Sequence, residues 1–139
     1  MESAVAAGGR VYVHCETGKS RSATVVLAYR VKCRKESLRA AYDDTKAKRE
    51  YIQPKTVFFD KLVARELAWA VAAGSGGGAG LPSFPAEEYG LLYLIDHFKE
   101  YMWVEGISED GIRAALAEAG GSSTAAHAKL AAVVQAGLG

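Results

Sequence analysis

The sequence predicts an α/β unit followed by an all-α tail, and three observations carry that prediction. Residues 11–14 are β-branched or aromatic and follow Gly8 and Gly9, as in a short strand. From Arg21 onward the apolar residues have helical spacing. Beyond a glycine-rich stretch at 74–80, only helical patterns follow.

Composition limits the class of protein without choosing a function. The chain has 139 residues, half of them hydrophobic, which suits about one domain with a buried core. Its 17 basic and 16 acidic residues give a net charge of +1, which does not favour a nucleic acid partner. No segment approaches the roughly 18 apolar residues that span a bilayer. Two cysteines are too few for a disulfide scaffold, so a reducing location is predicted, cytoplasmic or alternatively nuclear.

The first half of the chain is predicted to contain one strand, one tight loop and three helices. The polar residues 15–20, with a central glycine, suit the loop between the strand and the first helix. That helix is apolar nearly all round, which predicts burial on every side. Ser37 is the predicted cap of the second helix. Pro54 is predicted to open the third, whose apolar stripe contains Phe58, Leu62 and Leu67.

The second half begins with a predicted flexible linker at 74–85. Three helices are predicted after it, over 86–103, over 109–119 with Ser108 as cap, and from a cap at Ser123 or Thr124. The predicted domains are therefore 1–73 and 86–139. His97 and His127 lie on helical patterns with no second metal ligand at a useful spacing, so no metal and no cofactor are predicted.

Residues 15–21 combine three features that the chemistry of a phosphate ester requires. A loop that ends at a helix N-terminus can point backbone N–H groups at an anion, and Gly18 lets that loop curl. Cys15 at its mouth would have a lowered pKa and act as a thiolate nucleophile. The planar guanidinium of Arg21 can hold two phosphate oxygens at once.

This stretch resembles the signature loop of the protein tyrosine phosphatase superfamily, and specifically its dual-specificity branch. The resemblance rests on Val13, His14 and Cys15, on Gly18, and on Ser20, Arg21 and Ser22; with downstream residues it covers about 3–66. It implies that Cys15 forms a phosphocysteine and that Arg21 binds phosphate. It also implies that His14 orients the loop and lowers the cysteine pKa, and that Ser22 hydrogen-bonds the sulfur. The phosphate loop would then consist of Glu16, Thr17, Gly18, Lys19, Ser20 and Arg21.

The front of the chain departs from the family pattern. In the family, most of the sheet and an aspartic general acid precede the cysteine by roughly thirty residues, whereas fourteen residues precede Cys15 here and none is Asp. The chain is therefore interpreted as resembling the C-terminal half of a phosphatase domain. Loss of a general acid should slow leaving-group departure by about 10²–10⁴-fold.

The resulting prediction is a protein phosphatase that acts on phosphotyrosine and on phosphoserine or phosphothreonine, with a phosphoprotein as substrate. The alternative is a truncated or inactive fragment that binds phosphorylated partners. Lys19 in the loop keeps phosphoinositides as a lesser substrate possibility. A low-molecular-weight phosphatase ranks lower still, because the chain lacks the late Asp-Pro of that family.

Overall fold

The computed structural model describes residues 1–74 and 82–139, which form two compact units, Met1–Pro85 and Ala86–Gly139. Most of the predicted linker, residues 75–81, lies outside the described residues. The functional domain limits predicted above, 1–73 and 86–139, remain predictions.

Unit 1 is built on three helices that pack against one another around an aromatic centre. Tyr42, Phe59 and Phe84 meet edge to face with ring centroids 5.0–5.8 Å apart, an arrangement that favours aromatic pairs. Leu27 and Leu38 of the same unit are fully buried. The three packed helices are α2 (Arg21–Arg34), α3 (Leu38–Lys48) and α4 (Thr56–Ala72), and a short helix, α1 (Glu2–Ala6), precedes them.

Unit 2 is a helical bundle with a core of its own. Its elements are α5 (Ala86–Phe98), a 3₁₀ helix (Lys99–Tyr101), α6 (Glu109–Glu118) and α7 (Ser123–Leu138). The core is formed by apolar side chains from all three α-helices and from the α5–α6 connection, among them Leu94, Phe98, Val104, Ile107, Ile112, Leu116, Leu130 and Val134. The predicted helix over 86–103 is thus shorter, because the chain tightens into the 3₁₀ turn after Phe98.

Two of the predicted helix caps are confirmed and one is displaced by a residue. The Ser37 hydroxyl accepts a hydrogen bond from the Ala40 N–H, and that of Ser108 accepts one from the Gly111 N–H. The cap of α7 is Ser122, whose hydroxyl accepts from the Ala125 N–H, and not Ser123 or Thr124.

The α/β prediction is wrong for the residues that the structure describes, because none of them forms a strand. Residues 11–14 are mostly exposed and make no ladder hydrogen bonds. A strand exists only when its N–H and C=O groups pair with a neighbouring strand, and β-branched residues alone do not supply that partner.

The prediction that α2 is buried on every side is also wrong. Leu27 and Val31 are buried against the other helices, whereas Val25 on another side of α2 is 50% exposed. Val26 and Tyr29 are half-buried and line a groove together with Val11 and Val13. None of the helices in the described ranges is long and apolar enough to cross a membrane.

Candidate active site

The loop of residues 15–20 connects residues 11–14 to the start of α2, and hydrogen bonds from a segment distant in sequence support it. The Gln53 N–H donates to the Lys19 carbonyl at 2.8 Å. The Lys55 N–H donates to the Ser20 hydroxyl oxygen at 2.9 Å. The connection between α3 and α4 therefore supports the C-terminal half of the loop.

Gly18 occupies a position that no other residue fits easily. Its φ of +69° lies in the left-handed region. A Cβ at this position would lie 2.7 Å from Nη2 of Arg49, so the guanidinium of Arg49 packs directly against the glycine. Gly18 thus allows the loop to turn through a left-handed conformation and allows the Arg49 guanidinium to approach the backbone closely.

Cys15 lies in an environment that stabilises its thiolate. Its Sγ is 3.2 Å from the Ser22 hydroxyl, and Ser22 is buried at the first turn of α2. The pKa of Cys15 is lowered from 9.0 to about 6, first by the Ser22 hydroxyl and then by the Ser22 backbone N–H, with smaller contributions from the N–H groups of Gly18 and Thr17. Partial burial opposes these donors. Because donors to a thiolate favour the charged form, they shift the sulfur toward the ionised state at neutral pH.

Arg21 is the first residue of α2 and lies beside Glu16. Its Nη2 is 3.2 Å from Oε2 of Glu16, and the two side chains are 64% and 83% exposed. Solvent screens a pair that is this exposed, so it holds Arg21 only weakly. The guanidinium can therefore exchange the Glu16 carboxylate for another anion.

An open depression brings most of the predicted phosphate-loop residues together around Cys15. Its walls are Cys15, Glu16, Thr17, Ser20, Arg21, Lys55 and Phe58. The sequence pattern assigned Phe58 to the apolar stripe of α4, but Phe59 is the fully buried residue and Phe58 is half-buried at this surface.

Two predicted site residues lie apart from the sulfur environment. His14 is exposed and stacks on Tyr12 with ring centroids 5.3 Å apart, and it is not among the groups that shift the pKa of Cys15. The Lys19 side chain is exposed. Its carbonyl oxygen accepts the hydrogen bond from the Gln53 N–H that supports the loop. The roles assigned to these two side chains remain predictions.

Sequence reasoning missed Lys55 and Phe58 as residues of the depression. Both lie more than thirty positions after Cys15, and the hydrogen bonds of Gln53 to Lys19 and of Lys55 to Ser20 show that this segment meets the loop. Spacing along the chain could not have paired them.

Comparisons with known proteins agree with the geometry around Cys15. The profile of the family described as "Dual specificity phosphatase, catalytic domain" matches residues 1–67. Residues 1–67 belong to the dual specificity phosphatase family. Human dual specificity protein phosphatase 1 is 36% identical over 90 residues, which cover 65% of this chain and 24% of that protein.

Two further relatives show the same limited coverage. Human dual specificity protein phosphatase 2 is 46% identical over 59 residues, or 42% of this chain and 19% of the relative. Human dual specificity protein phosphatase 4 is 38% identical over 82 residues, which cover 59% of this chain and 21% of that protein. The chain thus spans about a quarter or less of the length of the curated dual specificity phosphatases that it matches. No solved structure matches it significantly.

Proposed function

We propose that this dual specificity phosphatase family member hydrolyses phosphate monoesters on phosphotyrosine and on phosphoserine or phosphothreonine through a phosphocysteine intermediate. The observation that carries the proposal is the position of the Cys15 Sγ, 3.2 Å from the Ser22 hydroxyl at the start of α2, where donors lower the pKa of the thiol to about 6. A thiolate at neutral pH is the form of cysteine that attacks phosphorus. Family membership of residues 1–67 supports the same chemistry.

The first step transfers the phosphoryl group to the sulfur. The substrate phosphate would enter the depression, where the Gly18 and Thr17 N–H groups and the Arg21 guanidinium meet its oxygens and stabilise the charge of the transition state. The Cys15 thiolate forms the S–P bond as the ester P–O bond breaks, and the leaving oxygen takes a proton.

The second step releases inorganic phosphate. Water attacks phosphorus, the S–P bond breaks, and the electron pair returns to sulfur. The Ser22 hydroxyl at 3.2 Å from Sγ is placed to donate to the departing thiolate. The same contact that lowers the cysteine pKa in the free site would therefore help the sulfur to leave.

The source of the proton for the leaving group decides how fast natural substrates react. Among the described residues that line the depression, Glu16 is the acidic one, and it pairs with Arg21. Substrates with basic leaving groups would lose the rate factor of about 10²–10⁴ that a positioned acid contributes. Aryl phosphates with acidic phenols need no such acid.

A second candidate function is phosphate-dependent binding of phosphorylated partners without turnover. It is favoured by the Arg21–Glu16 pair, which engages the only acid of the described depression and leaves a weakly held guanidinium available to an anion. Under both candidate functions, a cytoplasmic or nuclear location remains a prediction. Phosphoinositides likewise remain a less favoured predicted substrate.

A single-turnover assay with 4-nitrophenyl phosphate tests the proposal. With protein in excess over substrate, one nitrophenol should be released per molecule of 4-nitrophenyl phosphate. Cys15→Ser should abolish the release because an alcohol replaces the thiolate. Cys33→Ser is the matched control and should react like the parent, since Cys33 lies on α2 and outside the depression. Binding of a phosphotyrosine peptide without nitrophenol release by the parent would reject hydrolysis in favour of the second candidate.

A further inference from the structure

Two imidazole rings of unit 2 meet across helices that are far apart in sequence. His97 lies near the end of α5 and His127 in the first half of α7, thirty positions later. Their Nε2 atoms are 3.0 Å apart, and their ring centroids are 4.6 Å apart. In the sequence, neither histidine has a second metal ligand at a useful spacing. That criterion cannot detect a contact between residues thirty positions apart.

Aromatic neighbours hold the two rings in place without closing them off from solvent. His97 stacks on Tyr93 with an interplanar angle of 11° and a centroid distance of 6.1 Å. The His127 ring packs 5.3 Å from the ring of Phe98, which is buried in the core of unit 2. His97 itself is exposed and His127 is half-buried, so a small ion can reach both nitrogens.

The distance between the nitrogens fits two ligands of one metal ion. With metal–nitrogen bonds of about 2.0–2.1 Å, two nitrogens lie about 2.8–3.0 Å apart at a right angle and about 3.3–3.4 Å apart at a tetrahedral angle. The observed 3.0 Å falls within this span. In the metal-free protein one ring donates its Nε2 proton to the other, and a metal would replace that proton.

Metal coordination requires the unprotonated nitrogen of each imidazole. The Asp96 carboxylate, next to His97 in sequence, pairs with Lys99 at 3.0 Å, and the proposed protein ligands are the two imidazoles.

We propose that His97 and His127 form a two-imidazole site for a divalent transition metal of the Cu²⁺, Ni²⁺ and Zn²⁺ class, with water as the remaining ligands. Imidazole suits these ions, whereas Mg²⁺ and Ca²⁺ prefer oxygen ligands. No group of three or more potential metal ligands is found in the described ranges, so affinity rests on this pair. Because the ligands come from α5 and α7, the metal would join the two helices and stabilise unit 2.

The test is a titration of Ni²⁺ into the full chain with both cysteines changed to serine, which removes competing thiolates. His97→Gln and His127→Gln should each raise the Kd by about tenfold or more, because each removes one half of an intramolecular chelate. His14→Gln is the matched control, since it removes the third histidine of the chain from the other unit and should leave the Kd unchanged. Ni²⁺ should raise the Tm of the parent, and Mg²⁺ should not.

A measurement on the chain with both cysteines changed to serine and all three histidines kept covers the case in which a glutamine variant fails to fold. Substoichiometric Cu²⁺ should broaden the ring NMR signals of His97 and His127 together, before those of His14. Equal Ni²⁺ affinity in the parent and the His97→Gln variant, or earlier broadening of His14, would overturn the proposal.

Discussion

The acidity of Cys15 is decided by a few donors within hydrogen-bond reach of its sulfur. The Ser22 side chain is the largest contributor, and its hydroxyl lies 3.2 Å from Sγ. Ser22 is buried, so its hydroxyl exchanges little with water and keeps its direction toward Sγ. One hydroxyl therefore couples the start of α2 to the reactivity of the loop.

Ser22→Ala should raise the pKa of Cys15 from about 6 toward the 9.0 of an unperturbed thiol, because the donor that lowers this pKa most is lost. A depressed thiol pKa means that the thiolate is present above about pH 6 and is lost as the pH falls through that value. The pH dependence of alkylation by iodoacetamide, in the Cys33→Ser background, reports this midpoint. The variant's midpoint should shift upward, and reactivity at pH 7 should fall.

Ser37→Ala is the matched control for that measurement. The Ser37 hydroxyl caps α3 and makes no contact with the sulfur, so its removal should cost about 1 kcal/mol of stability and leave the alkylation midpoint unchanged. An unchanged midpoint in Ser22→Ala would show that backbone N–H groups alone set the acidity.

At the scale of elements, the loop depends on the segment between α3 and α4. Gln53 and Lys55 donate backbone hydrogen bonds to it, and Arg49 packs on Gly18. A backbone N–H can donate whatever side chain its residue carries, so the sequence gives little indication of the hydrogen bonds from Gln53 and Lys55. The caps Ser37 and Ser108 were predictable because a cap is a local feature, whereas three successive hydroxyls at 122–124 made the third cap ambiguous by one residue.

Gly18→Ala should disrupt the loop more than an equivalent substitution in open space. The left-handed backbone costs an alanine about 1–2 kcal/mol. The added Cβ would also displace the guanidinium of Arg49, which is the far end of an exposed, flexible side chain and adds a smaller cost. Gly74→Ala is the matched control, because Gly74 has a φ of +68° and a Cβ added there would have no atom of the described residues within 4 Å. Chemical denaturation should show a larger loss of stability for Gly18→Ala, and its Cys15 pKa should rise.

Adding Arg49→Ala to the Gly18→Ala variant separates the two effects. It should recover the part of the loss that comes from the clash and leave the cost of the left-handed backbone. Equal losses at Gly18 and Gly74, with the Cys15 pKa still about 6, would contradict the role given to Arg49.

At the scale of the molecule, the features that sequence reasoning missed are those formed between distant residues. The nucleophile, its donors and Arg21 fall within eight consecutive positions, so their proximity could be read from the chain. The contacts of Lys55 with the loop and of His97 with His127 span about thirty positions or more. The predicted strand failed for the same reason, because a strand needs a partner segment that local propensity does not supply.

Unit 2 has a core of its own, so a fragment of residues 86–139 should be helical and melt cooperatively. A unit of this size has a stability of only about 3–5 kcal/mol. Phe98→Ala removes a ring that is 2% exposed and costs about 3–5 kcal/mol, which is enough to unfold the fragment. Trp103→Ala is the matched control, because that side chain is 69% exposed and its loss should change stability by at most about 0.5 kcal/mol.

Far-ultraviolet circular dichroism of the fragment and its two variants measures these effects directly. The parent and Trp103→Ala should share one transition temperature, and Phe98→Ala should lack a transition. Because Phe98 also packs against the His127 ring, its substitution should weaken Ni²⁺ binding as well, whereas Trp103→Ala should not. A fragment that is unfolded while the full chain keeps α5 to α7 would show that unit 2 draws its stability from residues outside 86–139.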